Sequence, residues 1–220
     1  MQPLPLPKPR FVVFDLDGTL VDSLLDIAES VNACLELLGL PTRPPGDYRY
    51  MVGEGVPALC RRAIGESHPH LLGRLVELAR PLYRTRLLVH TRPYPGVQEV
   101  VAGLAAGGLP LAVLSNKPHD MTARIVEAFW PPGTFAAVQG YVREEHRKPS
   151  PHHLLEMCAR VGVPSADTWL VGDTPTDVQT AKAAGARCVG VTWGFRTREE
   201  LRVAGADAIV DTPGALLVDR

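Results

Sequence analysis

Net charge is almost absent from this sequence. Its 220 residues contain 23 lysines and arginines against 24 aspartates and glutamates, a formal charge of -1. So small a net charge creates no field that attracts nucleic acid or acidic lipid, and we expect neither as a partner. The sequence also lacks an apolar run near the roughly 18 residues that span a bilayer. Its start has no signal-peptide core, so we expect a cytoplasmic protein without membrane contact.

Cysteine and lysine are both scarce. No C-x-x-C pair occurs, which argues against a zinc site or a disulfide framework. We expect four reduced core cysteines, at positions 34, 60, 158 and 188. Only four of the 23 basic residues are lysines, so a lysine that follows a core strand is a candidate for a specific role. Lys117 and Lys148 meet that condition, whereas Lys182 has the pattern of an exposed helix residue.

Short apolar runs predict the buried strands of a sheet. They lie in residues 10–14, 109–117, 168–177 and 187–194, and in each the polar residues follow the apolar run. Segments with helical spacing lie between them, and several of these end at glycine. The alternation predicts an α/β fold, a doubly wound (Rossmann-like) parallel sheet with helices on both faces. Because ligands bind such sheets beyond the carboxyl ends of the strands, the polar residues that follow the runs should converge on one site.

Residues 22–90 interrupt this alternation. They contain three helical patterns and no convincing strand, which predicts a helical cap domain inserted over the mouth of the site. We therefore predict one core domain made of residues 10–21 and 91–220, with the cap between its two parts. Prolines at positions 3, 5, 7 and 9 exclude a helix, so residues 1–9 are predicted to form a flexible lead-in.

An acidic pair, Asp15 and Asp17, follows the first predicted strand. Phosphoryl transfer to a carboxylate needs a nucleophile and a proton donor for the leaving oxygen, and two aspartates can supply both. A D-x-D pair alone is more often a solvated loop or a helix cap. Here Gly18 and Thr19 come next, which allows a tight turn and offers amide groups to phosphate. The context therefore favours the catalytic interpretation.

Polar residues after the later strands complete the predicted site. Ser115 and Asn116 offer a hydroxyl and an amide to phosphate oxygens, although either alone is more often a turn or N-cap residue. Asp173, together with the acidic pair, offers the oxygen ligands that suit Mg²⁺. Asp177 either caps the helix that it begins or serves the metal.

The two strand-end lysines offer positive charge. Lys148 could pair with Asp15 and with a phosphate group through its compact ammonium. A surface lysine is the weaker alternative for Lys148. For Lys117 the two alternatives are even, and its contribution to the site stays open.

Four motifs resemble those of the haloacid dehalogenase-like hydrolase superfamily. They are DLDGTLVDS (15–23), LSNK (114–117), RKPSP (147–151) and GDTPTD (172–177), in that order. Together with the cap between the first and second motifs, their spacing is similar to that of phosphoglycolate phosphatases. The resemblance implies an Mg²⁺-dependent phosphatase that hydrolyses a small phosphomonoester, with 2-phosphoglycolate as the first candidate. A monomer or a homodimer, with a small phosphorylated metabolite as the partner, is expected.

The same resemblance assigns roles to the motif residues. Asp15 would be the nucleophile that forms an aspartyl-phosphate, and Asp17 the general acid and then base. Asp15 and Asp173 would bind Mg²⁺ through carboxylates and Asp17 through its backbone carbonyl, with Asp177 behind them. The phosphoryl group would be held by Gly18, Thr19, Ser115, Asn116 and Lys148.

Two other functions stay open at this point. A β-phosphoglucomutase-like phosphoryl transferase would keep Asp17, although the sugar-reading residues of such caps are not recognisable here. A silent member that binds a metabolite or a protein is disfavoured, because no catalytic position is missing. The superfamily's dehalogenases lack the acid-base aspartate, so Asp17 argues against that reaction.

Residues of the insert give weaker indications. The loop of Gly53, Glu54 and Gly55 is a candidate for substrate contact, with a plain turn nearly as probable. The arginines at positions 61 and 62 are weak candidates for binding a substrate carboxylate. The histidines at positions 68 and 70 are expected on the surface. Asp22 and Ser23 are expected to cap the first insert helix.

Overall fold

The computed structural model describes residues 6–217 and contains eight strands and eight α-helices in that range. The strands are β1 (Phe11–Phe14), β2 (Val21–Asp22), β3 (Arg92–Pro93), β4 (Leu111–Pro118), β5 (Ala137–Tyr141), β6 (Thr168–Gly172), β7 (Arg187–Val191) and β8 (Ala208–Val210). The helices are α1 (Leu24–Leu37), α2 (Val56–Ile64), α3 (Leu72–Arg86), α4 (Val97–Ala106), α5 (His119–Phe129), α6 (His152–Val161), α7 (Pro175–Ala184) and α8 (Arg198–Ala204). None of the helices described is long and apolar enough to cross a membrane.

Six of the strands form one parallel sheet in the order β5-β4-β1-β6-β7-β8. The chain builds outward from β1 to β4 and β5 on one side, and then to β6, β7 and β8 on the other. The point of reversal therefore lies at β1, where ligands bind in open sheets of this kind. The predicted α/β, doubly wound fold with an inserted helical cap is confirmed.

Both faces of the sheet are buried, which explains why its strands are continuous apolar runs. Alternate residues along β1 enter two different cores. Val12 and Phe14 pack in a core shared with α4, α5 and the cap helices, while Phe11 and Val13 pack in a core shared with α6, α7 and α8. The sheet is thus fixed from both sides, and the ends of its strands are rigid supports for functional groups.

Helices α1, α2 and α3 lie in the segment predicted to be the cap. Leu35, Cys60 and Leu75, one from each helix, are buried in a single apolar cluster. Where the chain leaves the sheet and where it returns, β2 and β3 pair antiparallel. We did not predict this pair, because two-residue strands are too short to show an alternating pattern.

Two further expectations have an outcome here. All four cysteines are free and buried, as expected. Residues 1–5 of the predicted lead-in lie outside the described residues. At its described end, Leu6 packs against the core and Pro9 is buried, so this end contacts the folded domain.

Candidate active site

Asp15 lies at the first position after β1 and is only 7% exposed. Its backbone N–H still bonds to the carbonyl of Val171 in β6, at 2.8 Å, so the sheet fixes its position. The carboxylate Oδ1 accepts a hydrogen bond from the N–H of Leu16 at 2.7 Å and lies 2.8 Å from Lys148 Nζ. A buried carboxylate is thus oriented by one backbone donor and one lysine.

Gly18 closes the turn that follows Asp15. Its φ is +87°, and its N–H donates to the carbonyl of Val21 at 2.9 Å. A Cβ at this position would lie 2.3 Å from Oδ2 of Asp173. Two constraints therefore require glycine at this position: the positive φ, and the close approach of the backbone to Asp173.

The carboxylate of Asp17 has two partners of its own. The hydroxyl of Ser23 and the ammonium of Lys117 both donate to its Oδ1. The Lys117 Nζ also lies 4.9 Å from the centre of the Tyr83 ring, which comes from α3 of the cap. Burial raises the pKa of Tyr83 well above its usual range, so this phenol stays protonated. Lys117 is 6% exposed and lines the same cavity as Asp15 and Asp17.

Asp173 follows β6 and is held by two donors. Thr19 Oγ1 donates to its Oδ1 at 3.0 Å, and the N–H of Phe195 donates to its Oδ2 at 2.8 Å. Asp177 begins α7 with a capping box, because its Oδ2 accepts from both the N–H and the hydroxyl of Thr174. Asp177 also accepts a hydrogen bond from Lys148 Nζ at 2.6 Å. The predicted helix cap is therefore present, while a metal role for Asp177 stays a prediction.

Three buried carboxylates meet at this place, and two of them, Asp15 and Asp177, pair with Lys148. Asp15, Asp173 and Asp177 each have a carboxylate oxygen, and these oxygens lie within 4.8 Å of one another. Burial, and then the charge of Asp177, raise the pKa of Asp15 to about 7 against the lowering effect of Lys148. Burial and the neighbouring carboxylates raise the pKa of Asp173 well above its usual range. Burial alone would lower the pKa of Lys148, but Asp15 and Asp177 raise it, so the lysine stays charged.

This cluster fits a hard divalent cation. Oxygen ligands on opposite sides of Mg²⁺, at about 2.0–2.1 Å each, are roughly 4.2 Å apart, close to the span of the carboxylates. One lysine leaves the three carboxylates with an excess of negative charge, which adds to burial in raising the pKa values of Asp15 and Asp173. A dication would remove that excess.

Ser115 and Asn116, at the end of β4, have different surroundings. Ser115 is 4% exposed and lines the cavity in front of Asp15. The side-chain amide of Asn116 donates to the carbonyls of Gly53 and Lys148, both at 2.9 Å, and its Oδ1 accepts the N–H of Lys148 at 2.8 Å. Its amide hydrogens are thus engaged by backbone carbonyls, so Asn116 positions Lys148 and joins the cap loop to the core.

A cavity of about 60 Å³ lies between the strand ends and the cap. From the core it is lined by residues that include both members of the acidic pair, Ser115, Lys117 and Phe195. From the cap it is lined mainly by apolar side chains and by two glycines of the predicted substrate loop. These cap residues are Ile27, Val52, Gly53, Gly55, Val56, Leu59 and Tyr83.

Some insert residues do not reach the cavity. Glu54, the middle residue of the predicted loop, instead forms an ion pair with Arg62, which also donates to the carbonyl of Met51. Arg61 is exposed on α2. Of the two residues expected to cap α1, Asp22 accepts the N–H of Leu24 at 3.1 Å, whereas the hydroxyl of Ser23 turns to Asp17.

Sequence reasoning missed the contacts that close the cap on the core. Arg49 of the cap donates to the carbonyls of Gly194 and Phe195, and Arg196 of the core donates in return to those of Arg49 and Val52. Arginine is common in this sequence, so neither position carried a signal. The role of Ser23 as a partner of Asp17 was equally invisible, whereas the rarity of lysine did point to Lys117.

Comparisons with known proteins agree on one family. A model of the haloacid dehalogenase-like hydrolases matches residues 12–191. The phosphoglycolate phosphatase of Chromobacterium violaceum is 36% identical over 208 residues, which cover 92% of each chain. That of Nitrosospira multiformis is 35% identical over 213 residues, covering 94% of this chain and 92% of its own. The crystal structure of a predicted phosphoglycolate phosphatase from Haemophilus somnus matches with a TM-score of 0.88 and 29% identity, over 96% of this chain and 98% of its own.

The fold, the aspartate cluster and these relatives define the class of the protein as a phosphoric monoester hydrolase. The family follows from the match over most of the core and the whole insert. The chain belongs to the haloacid dehalogenase-like hydrolases, and the resemblance seen in its four motifs is confirmed.

Proposed function

We propose that this phosphatase hydrolyses a small phosphomonoester, with 2-phosphoglycolate as the first candidate, through an aspartyl-phosphate on Asp15. The observation that carries this proposal is the meeting of Asp15, Asp173 and Lys148 beside a small cavity between the strand ends and the cap. The cavity is far smaller than the roughly 300–1,000 Å³ of pockets for drug-sized ligands. The names of relatives that match nearly the full chain support the first candidate.

Asp15 is placed to be the nucleophile. The two contacts that orient it are both to Oδ1, so we assign Oδ2 to the attack on phosphorus. The lysine at 2.8 Å reduces the repulsion between two anions, which is the main obstacle to this attack. In the first step a bond forms between Oδ2 and phosphorus while the bond from phosphorus to the ester oxygen breaks.

Asp17 is placed to manage the proton. It lines the same cavity, and Ser23 and Lys117 fix its carboxylate. In the first step it gives a proton to the leaving ester oxygen. In the second step it takes a proton from water as the water oxygen attacks phosphorus. The bond to Asp15 then breaks, and inorganic phosphate leaves.

Mg²⁺ is the cation that the carboxylates would hold. Asp15 and Asp173 would supply carboxylate oxygens, and Asp17 its backbone carbonyl, with Asp177 behind them bonded to Lys148. When bound, the ion neutralises charge on the phosphoryl oxygens and on the carboxylates. The buried donor set of oxygen atoms is what supports this choice of metal.

The phosphoryl oxygens need donors as well. We assign them to Lys148, to the Ser115 hydroxyl and to the backbone at Gly18 and Thr19. The Thr19 hydroxyl itself bonds to Asp173, so Thr19 would act through its main chain.

Lys117 is proposed to recognise a second negative charge on the substrate. Of the described residues that line the cavity, it carries the one positively charged side chain. The cap contributes mainly apolar groups to the same cavity, so a bulky polar substituent has little to bind there. A short phosphorylated acid fits these surroundings better than a phosphorylated sugar.

The test is phosphate release from a panel of phosphometabolites. Phosphoglycolate, nucleoside monophosphates, pyrophosphate and sugar phosphates are compared at equal concentration with Mg²⁺ and with excess chelator. We expect the highest kcat/KM for phosphoglycolate, no turnover in chelator and no turnover by the Asp15→Asn variant. Full activity in chelator, or activity in that variant, refutes the mechanism. Isomerisation of a sugar phosphate with little phosphate release would show a mutase instead.

A further inference from the structure

We propose a second metal site, made by the imidazoles of His146, His152 and His153 on the outer surface of the core, that binds a transition-metal dication such as Zn²⁺. His146 lies in the segment between β5 and α6, and the other two begin α6. One ring nitrogen from each histidine is available as a ligand, and these atoms lie within 4.8 Å of one another. Imidazole nitrogens suit Zn²⁺ and its neighbours in the periodic table far better than Mg²⁺.

The three rings already form a compact group. His146 and His152 are stacked with ring centres 3.6 Å apart, and the ring of His153 lies 5.3 Å from the first and 5.2 Å from the second. All three are partly buried. To bind one dication together, the stacked rings would rotate so that one nitrogen of each points to the ion.

A carboxylate completes the group in the way that metal-binding histidines require. Glu156, one turn further along α6, has Oε2 at 2.9 Å from Nδ1 of His153 and Oε1 at 3.3 Å from Nε2 of His152. A carboxylate that accepts one ring N–H leaves the lone pair of the other nitrogen for a metal.

His153 has a ring nitrogen that is available to bind a metal. Its Nε2 is buried and has no hydrogen-bond partner among the residues that the structure describes. Buried polar atoms are almost always paired, so an unpaired ring nitrogen beside two other imidazoles points to a missing ligand.

The segment that contains Lys148 connects the proposed histidine site to the active site. Lys148 lies between His146 and His152 in sequence, and its ammonium pairs with Asp15. A metal bound to the three histidines would tie the segment that carries Lys148 to the start of α6. The proposed effect is to stabilise that segment, and it does not depend on the identity of the substrate.

The test is binding of Zn²⁺ or Co²⁺ to the full chain in the presence of saturating Mg²⁺. Titration calorimetry gives the stoichiometry, and the visible absorption of bound Co²⁺ reports nitrogen ligands. We expect one equivalent bound, and a thermal midpoint about 5 to 10 °C higher at a hundredfold excess of metal over Kd. The readout is binding, so it is independent of phosphatase activity and of the proposed substrate.

Two pairs of substitutions give a matched comparison. The double variant His146→Asn/His152→Asn should bind Co²⁺ at least tenfold more weakly than the parent chain. The double variant His68→Asn/His70→Asn removes the other closely spaced pair, whose ring centres are 6.1 Å apart, and should bind normally. Glu156→Gln, at an exposed side chain, should weaken binding about 10- to 100-fold without harming the fold.

The outcomes that overturn the site are equally specific. They are no binding at saturating Mg²⁺, equal loss in both histidine pairs, and full affinity in the His146→Asn/His152→Asn variant. If that variant fails to fold, the Glu156→Gln variant decides, and unchanged affinity there refutes the proposal.

Discussion

Replacing Asp15 by asparagine should stabilise the metal-free protein while it abolishes turnover. The substitution keeps the shape of the side chain and removes one of three clustered buried carboxylates, two of which pair with Lys148. Lys148 keeps its partner Asp177, at 2.6 Å, so the variant leaves no unpaired buried lysine. Loss of the nucleophile and gain of stability should therefore appear in the same protein.

The magnitude follows from the pKa of Asp15. It is raised from 3.8 to about 7 in the folded chain, chiefly by burial. A group whose folded pKa is raised is harder to ionise in the folded state, so stability falls as the pH rises from about 4 to about 7. A shift of about 3 units corresponds to about 4 kcal/mol at pH 8. At pH 5 the penalty on the parent chain is about 2 kcal/mol, because Asp15 is then protonated when folded.

The assay is urea unfolding followed by circular dichroism, in chelator, at pH 8 and at pH 5. We expect Asp15→Asn to exceed the parent chain by several kcal/mol at pH 8 and by about half as much at pH 5. The control is Asp120→Asn, which removes an exposed ion pair of 2.8 Å with Arg84 and should change stability by less than about 1 kcal/mol. A variant that is less stable than the parent at pH 8, or a gain that does not shrink at pH 5, refutes the reasoning.

Other substitutions test the rest of the site. Lys148→Met leaves the carboxylates without their cation and should cost about 3–5 kcal/mol in urea unfolding and remove turnover. Gly18→Ala, at a φ of +87° and with no room for a Cβ, should lower stability by about 2 kcal/mol or more and kcat/KM by about 100-fold. Asn116→Ala removes three hydrogen bonds that hold Lys148 and the cap loop, and should cost about 1–3 kcal/mol and lower kcat.

The substitutions of Lys148 and Gly18 each have a control in the same chain. Lys182→Met removes an exposed lysine that bonds only to a backbone carbonyl, and it should keep full activity. Gly39→Ala has a comparable φ of +67° but open space around the new methyl group, so it should lose about 1 kcal/mol and no activity. Activity that falls equally in a variant and its control would show a general loss of structure. A Lys148→Met variant with normal activity would contradict the proposed role of that lysine.

Much of the arrangement could be predicted from the sequence, for a physical reason. Strands buried on both faces must be continuous apolar runs, and the residues after them emerge at one edge of a parallel sheet. The sequence therefore predicts that Asp15, Ser115 and Asp173 lie close together at one edge of the sheet. Lysine is rare in this sequence, so a lysine in a segment that follows a core strand is a candidate for a specific role. This is how Lys148 could be assigned to the site.

The hydrogen-bond and ion-pair partners of those groups could not be predicted from the sequence. The ion pair of Lys117 with Asp17 joins residues 100 positions apart, and the N–H of Phe195 reaches Asp173 from a loop with no recognisable pattern. The amide of Asn116 was expected to face phosphate and instead bonds to backbone carbonyls, one of them in the cap.

The sequence by itself determined the class of fold and the order of the motifs, because periodicity and position along a strand are local properties of the chain. The tertiary structure alone decided which side chain donates to which carboxylate, how the cap closes on the core, and that His146 meets two histidines of α6. Those contacts depend on rotamers and on the packing of distant segments, and no short stretch of sequence contains that information.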